Sequence, residues 1–141
     1  SVASRGLGDV YKRQQERAYT ILNNLDLIQF ADQPCEGLPF GTMKRIELAR
    51  ALINEPKLLL LDEPATGLNY SEVNELSHLI KTIRDEYELT ILLVEHHMGM
   101  VMGISDRVVV LDFGSKIAEG APHEIQQNTA VINAYLGASH D

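Results

Sequence analysis

Residues 57–68 read KLLLLDEPATGL, and this stretch decides the fold. Its four leucines, residues 58–61, follow Lys57 and run directly into Asp62 and Glu63. An apolar run this short predicts a strand that is buried on both faces, as in a parallel sheet. Ligands of open α/β sheets bind at the carboxyl ends of the strands, so the acidic pair is predicted to mark a functional site.

The overall composition limits the classes of protein that the chain can represent. With 141 residues and 45% hydrophobic content, the chain can build one sizeable core. A single cysteine, Cys35, excludes an internal disulfide framework. No apolar run approaches the roughly 18 residues of a membrane span, and no secretory signal is visible. The net charge of −8 argues against a nucleic-acid partner, because such a surface needs clustered basic residues.

The first fourteen residues, SVASRGLGDVYKRQ, have neither helical nor strand periodicity. Residues 9–14, DVYKRQ, match the translation of a transposon end used in sequencing libraries, GAT GTG TAT AAG AGA CAG. We therefore expect residues 1–14 to be disordered, non-native adaptor read-through; the alternative is a disordered native arm. If they are read-through, the native protein continues upstream and the chain is a fragment.

Three helices are predicted from apolar residues at helical spacing. The first begins near Gln15 and carries Ala18, Ile21, Leu22, Leu25 and Ile28. The second covers residues 43–53 and is stopped by the sequence Asn54-Glu55-Pro56. The third carries the apolar set Val73, Leu76, Leu79, Ile80 and Ile83, with Ser71 as the expected cap.

Further strands alternate with these helices. Strands are predicted at residues 89–94 and 107–112, and a tight turn at residues 113–115 leads into a short strand at 116–119. Pro122 is predicted to open a short helix, and a last helix covers residues 129–136 and ends at Gly137. This alternation predicts right-handed βαβ units and a mainly parallel sheet.

Polar groups suited to phosphate chemistry follow two of the predicted strands. Asp62 can hold Mg²⁺ directly or through water, because hard cations prefer oxygen ligands. The adjacent Glu63 can polarise a water molecule for attack on a phosphate. His96, which follows the next strand, can reach the same phosphate by a hydrogen bond. These groups predict nucleotide hydrolysis.

A second candidate element precedes the second predicted helix. The sequence Leu38-Pro39-Phe40-Gly41-Thr42 places backbone N–H groups at the positive end of that helix, which favours anion binding. This feature alone is weak evidence for an anion-binding site, because nearly every helix has such an end.

Taken in order, these motifs resemble the C-terminal half of an ABC-type ATP-binding subunit of the P-loop NTPase class. Leu38–Thr42 is similar to the signature loop, Leu58–Glu63 to the Walker B strand, Ala65–Asn69 to the D-loop and His96 to the switch histidine. The chain most resembles the ATP-binding subunits of branched-chain amino acid importers. The stretches that carry this resemblance are LPFG with RIELARAL, LLLLDEPATGLN, VEHHMGMVMGISDRVVVLDFG, IAEGAP and the ending AYLG.

The resemblance covers residues 15–141 and implies an organisation of the chain. Residues 15–53 would end a helical subdomain that carries the signature loop, residues 54–120 would form part of the core, and residues 121–141 would form C-terminal helices. The fold class implied is therefore an incomplete ABC nucleotide-binding domain, with helices flanking a mainly parallel sheet.

The resemblance also implies roles and partners. Asp62 would assist Mg²⁺ binding, Glu63 would be the general base, and His96 would contact the γ-phosphate of ATP. The loop of Leu38, Pro39, Phe40, Gly41 and Thr42 would clamp ATP held by a second ATP-binding subunit in a head-to-tail homodimer or heterodimer, with Leu68 and Asn69 at that interface. The subunit would lie peripherally on the cytoplasmic face of the membrane, beneath transmembrane permease subunits. A separate substrate-binding protein would deliver the substrate to those permease subunits.

The sequence departs from the family pattern in several places. Pro39 stands at the usual serine of the signature, Phe40 at its first glycine, and Thr42 at its usual glutamine. Asn69 and His97 occupy positions where aspartate is frequent. No G-x-x-x-x-G-K-[ST] motif occurs and the glutamine loop is also missing, so the chain as given is expected neither to bind ATP well nor to hydrolyse it.

Other interpretations of individual residues remain. A metal site at His96-His97 is disfavoured because adjacent strand residues point to opposite faces. Met98, Met100 and Met102 are expected to pack, whereas His78 and His123 are expected to be solvated. Alternative functions are a non-transport ABC ATPase or a non-catalytic interaction or dimerisation module.

Overall fold

The computed structural model describes the backbone of residues 2–136 and the side chains of residues 6–135. They divide into two compact units between Leu92 and Leu93. The first contains α1 (Val2–Asn24), α2 (Phe40–Leu52), β1 (Leu58–Asp62) and α3 (Tyr70–Glu86), followed by β2 (Thr90–Val94), which crosses the division. The second contains α4 (Met98–Ile104), β3 (Val108–Asp112), β4 (Ser115–Gly120), α5 (Pro122–Gln126) and α6 (Thr129–Val131). The predicted α/β fold class is confirmed.

Helix α1 begins at Val2, so the prediction that residues 1–14 lack regular structure was wrong for the described residues 2–14. Among its described side chains, Ile21 is buried near the C-terminal end, whereas residues 6–16 are all exposed. Once a helix is nucleated, each added residue gains one hydrogen bond, and no proline interrupts the chain before Pro34. The non-native origin of residues 1–14 stays a prediction.

The end of α1 differs from the predicted apolar pattern. Asp26 has a positive φ of 55°, which ends the helix and shifts the register of the residues that follow. Leu27 is consequently buried, whereas Ile28 is 42% exposed at the start of a short 3-10 helix, Ile28–Phe30. The prediction that the first helix carries Ile28 was therefore wrong, because α1 ends at Asn24.

The strands β1 and β2 are hydrogen-bonded neighbours. The N–H of Thr90, the first residue of β2, donates to the carbonyl of Lys57, which immediately precedes β1, at 2.9 Å. Because this bond joins the starts of both strands, we infer that they run in the same direction, as the βαβ pattern predicts.

The leucines of β1 are covered on only one face. Leu59 is 6% exposed, whereas Leu58 and Leu60 are 54% and 65% exposed. Successive side chains of a strand point to opposite faces, so the packing within this chain covers only the Leu59 face. The prediction that the run is buried on both faces was wrong for the structure described.

Helix α3 has the predicted buried stripe of Val73, Leu76, Ile80 and Ile83. Its cap is Asn69 rather than Ser71, so that prediction was wrong. The side chain of Asn69 accepts a hydrogen bond from the Glu72 N–H at 3.0 Å, and the Glu72 carboxylate accepts one from the Asn69 N–H at 2.8 Å. This reciprocal pair forms a capping box, which fixes the start of the helix at Tyr70.

Strands β3 and β4 form a separate antiparallel hairpin. Phe113 and Gly114 both have positive φ, as a tight two-residue hairpin turn requires. A two-residue connection can join only antiparallel strands. The described strands thus form two separate pairs rather than one mainly parallel sheet. The predicted turn and short strand are confirmed.

The second unit has its own small core, composed of Val108, Val110, Ala118, Ile125 and Val131. Pro122 opens α5 as predicted. Helix α6 continues as a π-helical turn, Ile132–Leu136, and the predicted helix end at Gly137 lies outside the described residues. Within residues 2–136, no helix combines the length and the apolar character needed to cross a bilayer.

Candidate functional site

The acidic pair lies at the point where the chain leaves β1. Asp62 is the last residue of the strand, Glu63 follows it, and both are exposed. Glu63 has a φ of 45°, a left-handed conformation that is uncommon for residues other than glycine. The Glu63 carbonyl accepts a hydrogen bond from the Thr66 N–H at 3.1 Å. The backbone therefore turns sharply out of the strand at Glu63.

The loop that follows Glu63 is held by short-range contacts. Ala65 is buried, and its carbonyl accepts a hydrogen bond from the Leu68 N–H at 3.1 Å. Gly67 has a φ of 81°, which favours glycine. The loop ends at the Asn69 cap of α3, so its two ends are fixed by β1 and by α3.

The start of α2 presents backbone donors. Pro39 is its cap residue and has no side-chain acceptor for the first N–H groups of the helix. Helix N-termini carry partial positive charge, and Lys44 adds a full charge above the Phe40 ring, 5.3 Å from its centroid. This end of α2 is therefore suited to an anion.

The start of α2 and the loop after Glu63 meet within the first unit. A Cβ atom built on Gly67 would lie 2.9 Å from Cε1 of Phe40, so the ring lies directly against this glycine. A cavity of about 160 Å³ lies beside this contact. Its lining comes from both segments and from α2 and α3: Pro39, Gly41, Thr42, Lys44, Arg45, Leu68, Glu72, Glu75 and Leu76.

Ion pairs connect α2 to neighbouring elements. Arg45 lies 3.2 Å from the Glu75 carboxylate of α3 and 4.0 Å from that of Asp26. Lys44 lies 3.4 Å from Glu47 in its own helix. Partly exposed pairs of this kind contribute about 0–1 kcal/mol each, so they orient α2 more than they stabilise the fold.

His96 lies in the second unit, in the segment between β2 and α4, and is exposed. The Glu95 carboxylate accepts hydrogen bonds from the N–H groups of His96 and His97, at 3.1 and 3.3 Å. His97 caps α4, because its Nδ1 accepts a hydrogen bond from the Met100 N–H at 3.3 Å. Neither histidine belongs to a strand, so the strand geometry used to separate the two imidazoles does not apply to them.

The structure brings together part of the predicted site. Of the predicted phosphate-contacting and D-loop residues, Pro39, Gly41, Thr42 and Leu68 line the same cavity, and Phe40 contacts the predicted D-loop at Gly67. Leu38 directly precedes this set and is half-buried. Asp62 and Glu63 begin the loop that leads to Leu68 and Asn69. The meeting of His96 with the acidic pair stays a prediction, as do the catalytic roles of all these residues.

One carboxylate and one helix end among the described residues fit a magnesium–nucleotide complex. No three His, Cys, Asp or Glu side chains among them gather into a metal site. Mg²⁺ is commonly held by one or two protein carboxylates together with substrate phosphates, and the exposed carboxylate of Asp62 suits that arrangement. The uncapped start of α2 is compatible with phosphate oxygens.

Sequence analysis missed several residues that shape the site. Glu72 was not identified, although the pattern Asn69-x-x-Glu72 is the sequence signature of a capping box. Arg45 and Glu75 are 30 residues apart, and no local sequence signal links them. The capping function of His97 and the acceptor function of Glu95 likewise depend on the course of the backbone after β2.

Two family profiles match the sequence. The profile described as ABC transporter matches residues 2–66, which include the LPFGT segment and the acidic pair. The profile described as branched-chain amino acid ATP-binding cassette transporter matches residues 115–141.

Individual relatives agree with these matches. The chain is 46% identical over 122 residues to the high-affinity branched-chain amino acid transport ATP-binding protein LivG of Salmonella typhimurium, which covers 86% of this chain and 48% of LivG. It is 42% identical over 126 residues to BraF of Pseudomonas aeruginosa, which has the same description, with coverage of 89% and 49%. The chain therefore spans about half the length of the curated relatives it matches.

Comparison with solved structures agrees with these sequence matches. The crystal structure of the ADP conformation of MJ1267, an ATP-binding cassette of an ABC transporter, superposes with a TM-score of 0.80 at 28% identity, covering 89% of this chain and 50% of that one. The fold and the loops at the site thus define part of an ABC-type ATPase domain. The chain belongs to the family of ABC transporter ATP-binding proteins, and within it is similar to LivG and BraF.

Proposed function

We propose that the whole protein containing this chain hydrolyses ATP to power the import of branched-chain amino acids. The observation that carries this proposal is the contact of the LPFGT segment with the loop that follows Glu63, since both ATP-related motifs are built into one unit. The substrate class is supported by the match of residues 115–141 and by the descriptions of LivG and BraF.

In this proposal the acidic pair performs the chemistry at the end of β1. Bound Mg²⁺ would neutralise charge on the phosphates of ATP, and Asp62 would hold it directly or through water. Glu63 would accept a proton from the attacking water. Glu63 directly follows a sheet strand, which would hold its carboxylate in the fixed position that proton transfer requires. His96 would donate a hydrogen bond to the γ-phosphate.

The LPFGT segment would serve a second nucleotide site. Leu38, Pro39, Phe40, Gly41 and Thr42 would present the start of α2 to ATP held by an opposing ATP-binding subunit, with Leu68 and Asn69 close to that subunit. Pro39 has no hydroxyl group, so phosphate recognition at this loop would depend on backbone N–H groups. The dimer would associate with membrane permease subunits at the cytoplasmic face, and a substrate-binding protein would deliver the amino acid.

We further propose that the 141-residue chain by itself does not hydrolyse ATP. The sequence contains no G-x-x-x-x-G-K-[ST] motif, and that loop supplies the backbone cradle and the lysine that hold the β- and γ-phosphates. We therefore expect ATP hydrolysis from the whole protein and not from this chain alone.

The decisive test is Glu63→Gln in the whole protein, assembled with its permease. Removal of the base should lower kcat for ATP hydrolysis by about 10²–10⁴-fold and abolish leucine uptake, while ATP binding is retained. Equilibrium ATP binding, phosphate release and uptake of labelled leucine are measured on the same preparation.

The matched control is Glu88→Gln, because Glu88 is also an exposed glutamate with positive φ but follows α3. It should leave all three measurements unchanged. Undiminished hydrolysis in Glu63→Gln would exclude Glu63 as the base, and normal hydrolysis without leucine uptake in the unmodified protein would exclude leucine as a substrate.

A further inference from the structure

Phe40 has an unusual position for a large apolar side chain. It is the first residue of α2, and the residue remains 50% exposed. Its ring nevertheless lies against the backbone of Gly67, where an added Cβ would approach Cε1 to 2.9 Å. Real Cβ atoms essentially never approach another heavy atom so closely, so the ring occupies the space that a side chain at position 67 would need.

A second contact joins the same two segments. The Oε1 atom of Glu72 lies 3.5 Å from the position of a Cβ built on Gly41, while Oε2 accepts the hydrogen bond from the Asn69 N–H at 2.8 Å. One carboxylate therefore lies beside Gly41 at the start of α2 and also fixes the end of the loop that begins at Glu63. With the ring of Phe40, this makes two places where the segments lie close together.

We propose that Phe40 is a positioning residue that holds the LPFGT segment and the Glu63 loop in a fixed relation. The inference rests on the proposed function, in which the LPFGT segment contacts ATP and Glu63 accepts a proton. A movement of the ATP-contacting segment is then passed through the ring to Gly67, four residues beyond the base. Glycine at position 67 suits the positive φ and leaves free the space that the ring takes.

Two glycine substitutions in the whole protein separate these reasons. Gly37 and Gly67 have nearly equal φ values of 83° and 81°, but a Cβ at Gly37 would meet nothing within 4 Å. Gly37→Ala therefore measures backbone strain alone, whereas Gly67→Ala adds the conflict with Phe40. We expect the Tm of Gly67→Ala to lie below that of Gly37→Ala by on the order of 3 °C.

Adding Phe40→Ala should remove this difference. In the Phe40→Ala background, Gly67→Ala should lower the Tm only by as much as Gly37→Ala lowers it in the unmodified protein. The Tm loss caused by Gly37→Ala should be the same in both backgrounds. Equal losses at Gly67 and Gly37 in the unmodified background would overturn the proposal, since they would mean that the ring moves aside without cost.

The functional arm measures hydrolysis well below the Tm of every variant. Phe40→Ala should lower kcat by about tenfold to a hundredfold, because small misplacements of catalytic groups have effects of this size, with ATP binding retained. Phe40→Tyr keeps the ring and should restore kcat. A lowered Tm with unchanged kcat would mark Phe40 as merely structural and overturn the proposal. Undiminished hydrolysis in Glu63→Gln would instead exclude Glu63 as the base in the proposed function and leave the Tm comparison intact.

Discussion

Glu63 differs from most other residues of the chain that adopt a left-handed conformation. Asp26, Glu55 and Glu88 have positive φ shortly after α1, α2 and α3, where such residues commonly end a helix. Glu63 instead follows a strand directly and stands at the candidate site. Residues in sparsely populated conformations persist where their surroundings fix them, and they concentrate at active sites. The backbone at Glu63 thus supports its proposed role independently of its carboxylate.

Glu119 offers a prediction of pH dependence. Hydrogen bonds from Lys116 and from Arg107 lower the pKa of its carboxyl below the usual value. A carboxylate with a lowered folded-state pKa stabilises the protein above the unfolded-state pKa, and this contribution is lost as the pH falls through the folded-state pKa. Glu119→Gln should therefore lower the Tm of the whole protein at pH 7, and the difference should shrink as the pH falls below the usual glutamate pKa of 4.5 and through the lowered folded-state pKa.

Thermal unfolding at several pH values tests this expectation. Glu16→Gln, at an exposed glutamate of α1, controls for the loss of one surface charge. A difference between Glu119→Gln and the unmodified protein that stays constant down to pH 3 would contradict the ion-pair explanation.

At the scale of elements, the capping box of α3 connects the candidate site to the core of the first unit. Asn69→Ala removes the acceptor for the Glu72 N–H and should lower the free energy of unfolding by about 1 kcal/mol. Ser71→Ala, one residue inside the helix, should change it by no more than about 0.5 kcal/mol. Denaturant titration of the nucleotide-free whole protein measures both. Equal losses would show that Asn69 is not the cap.

The sequence predicted those elements whose signals are local. The leucine run with its acidic end, the apolar stripe of α3 and the turn at Phe113-Gly114 follow from periodicity and from a glycine suited to positive φ. The extension of α1 to Val2 was missed because exposed helical turns need no apolar pattern. The contact between Phe40 and Gly67 joins segments separated along the chain, and no local spacing encodes it.

At the scale of the whole molecule, β1 and β2 carry apolar side chains on a face that the described residues of the first unit leave open. Leu58, Leu60 and Leu92 are each more than half exposed. Exposed apolar residues are common one at a time, but three on paired strands form a patch that favours association. The chain spans about half the length of LivG and BraF, so we expect the remaining half of the whole protein to cover this patch.

The same two substitutions, made in the 141-residue chain and in the whole protein, test this expectation. Leu59 is buried by packing within the chain, so Leu59→Ala should cost about 2–5 kcal/mol in both. Leu60 is 65% exposed, so Leu60→Ala should cost less than about 0.5 kcal/mol in the 141-residue chain and should reduce its self-association in sedimentation experiments. In the whole protein Leu60→Ala should cost about as much as Leu59→Ala, because a strand covered on both faces has no exposed leucine. If Leu60→Ala were harmless in the whole protein, β1 would remain covered on one face only, and the leucine run would owe its composition to something other than burial.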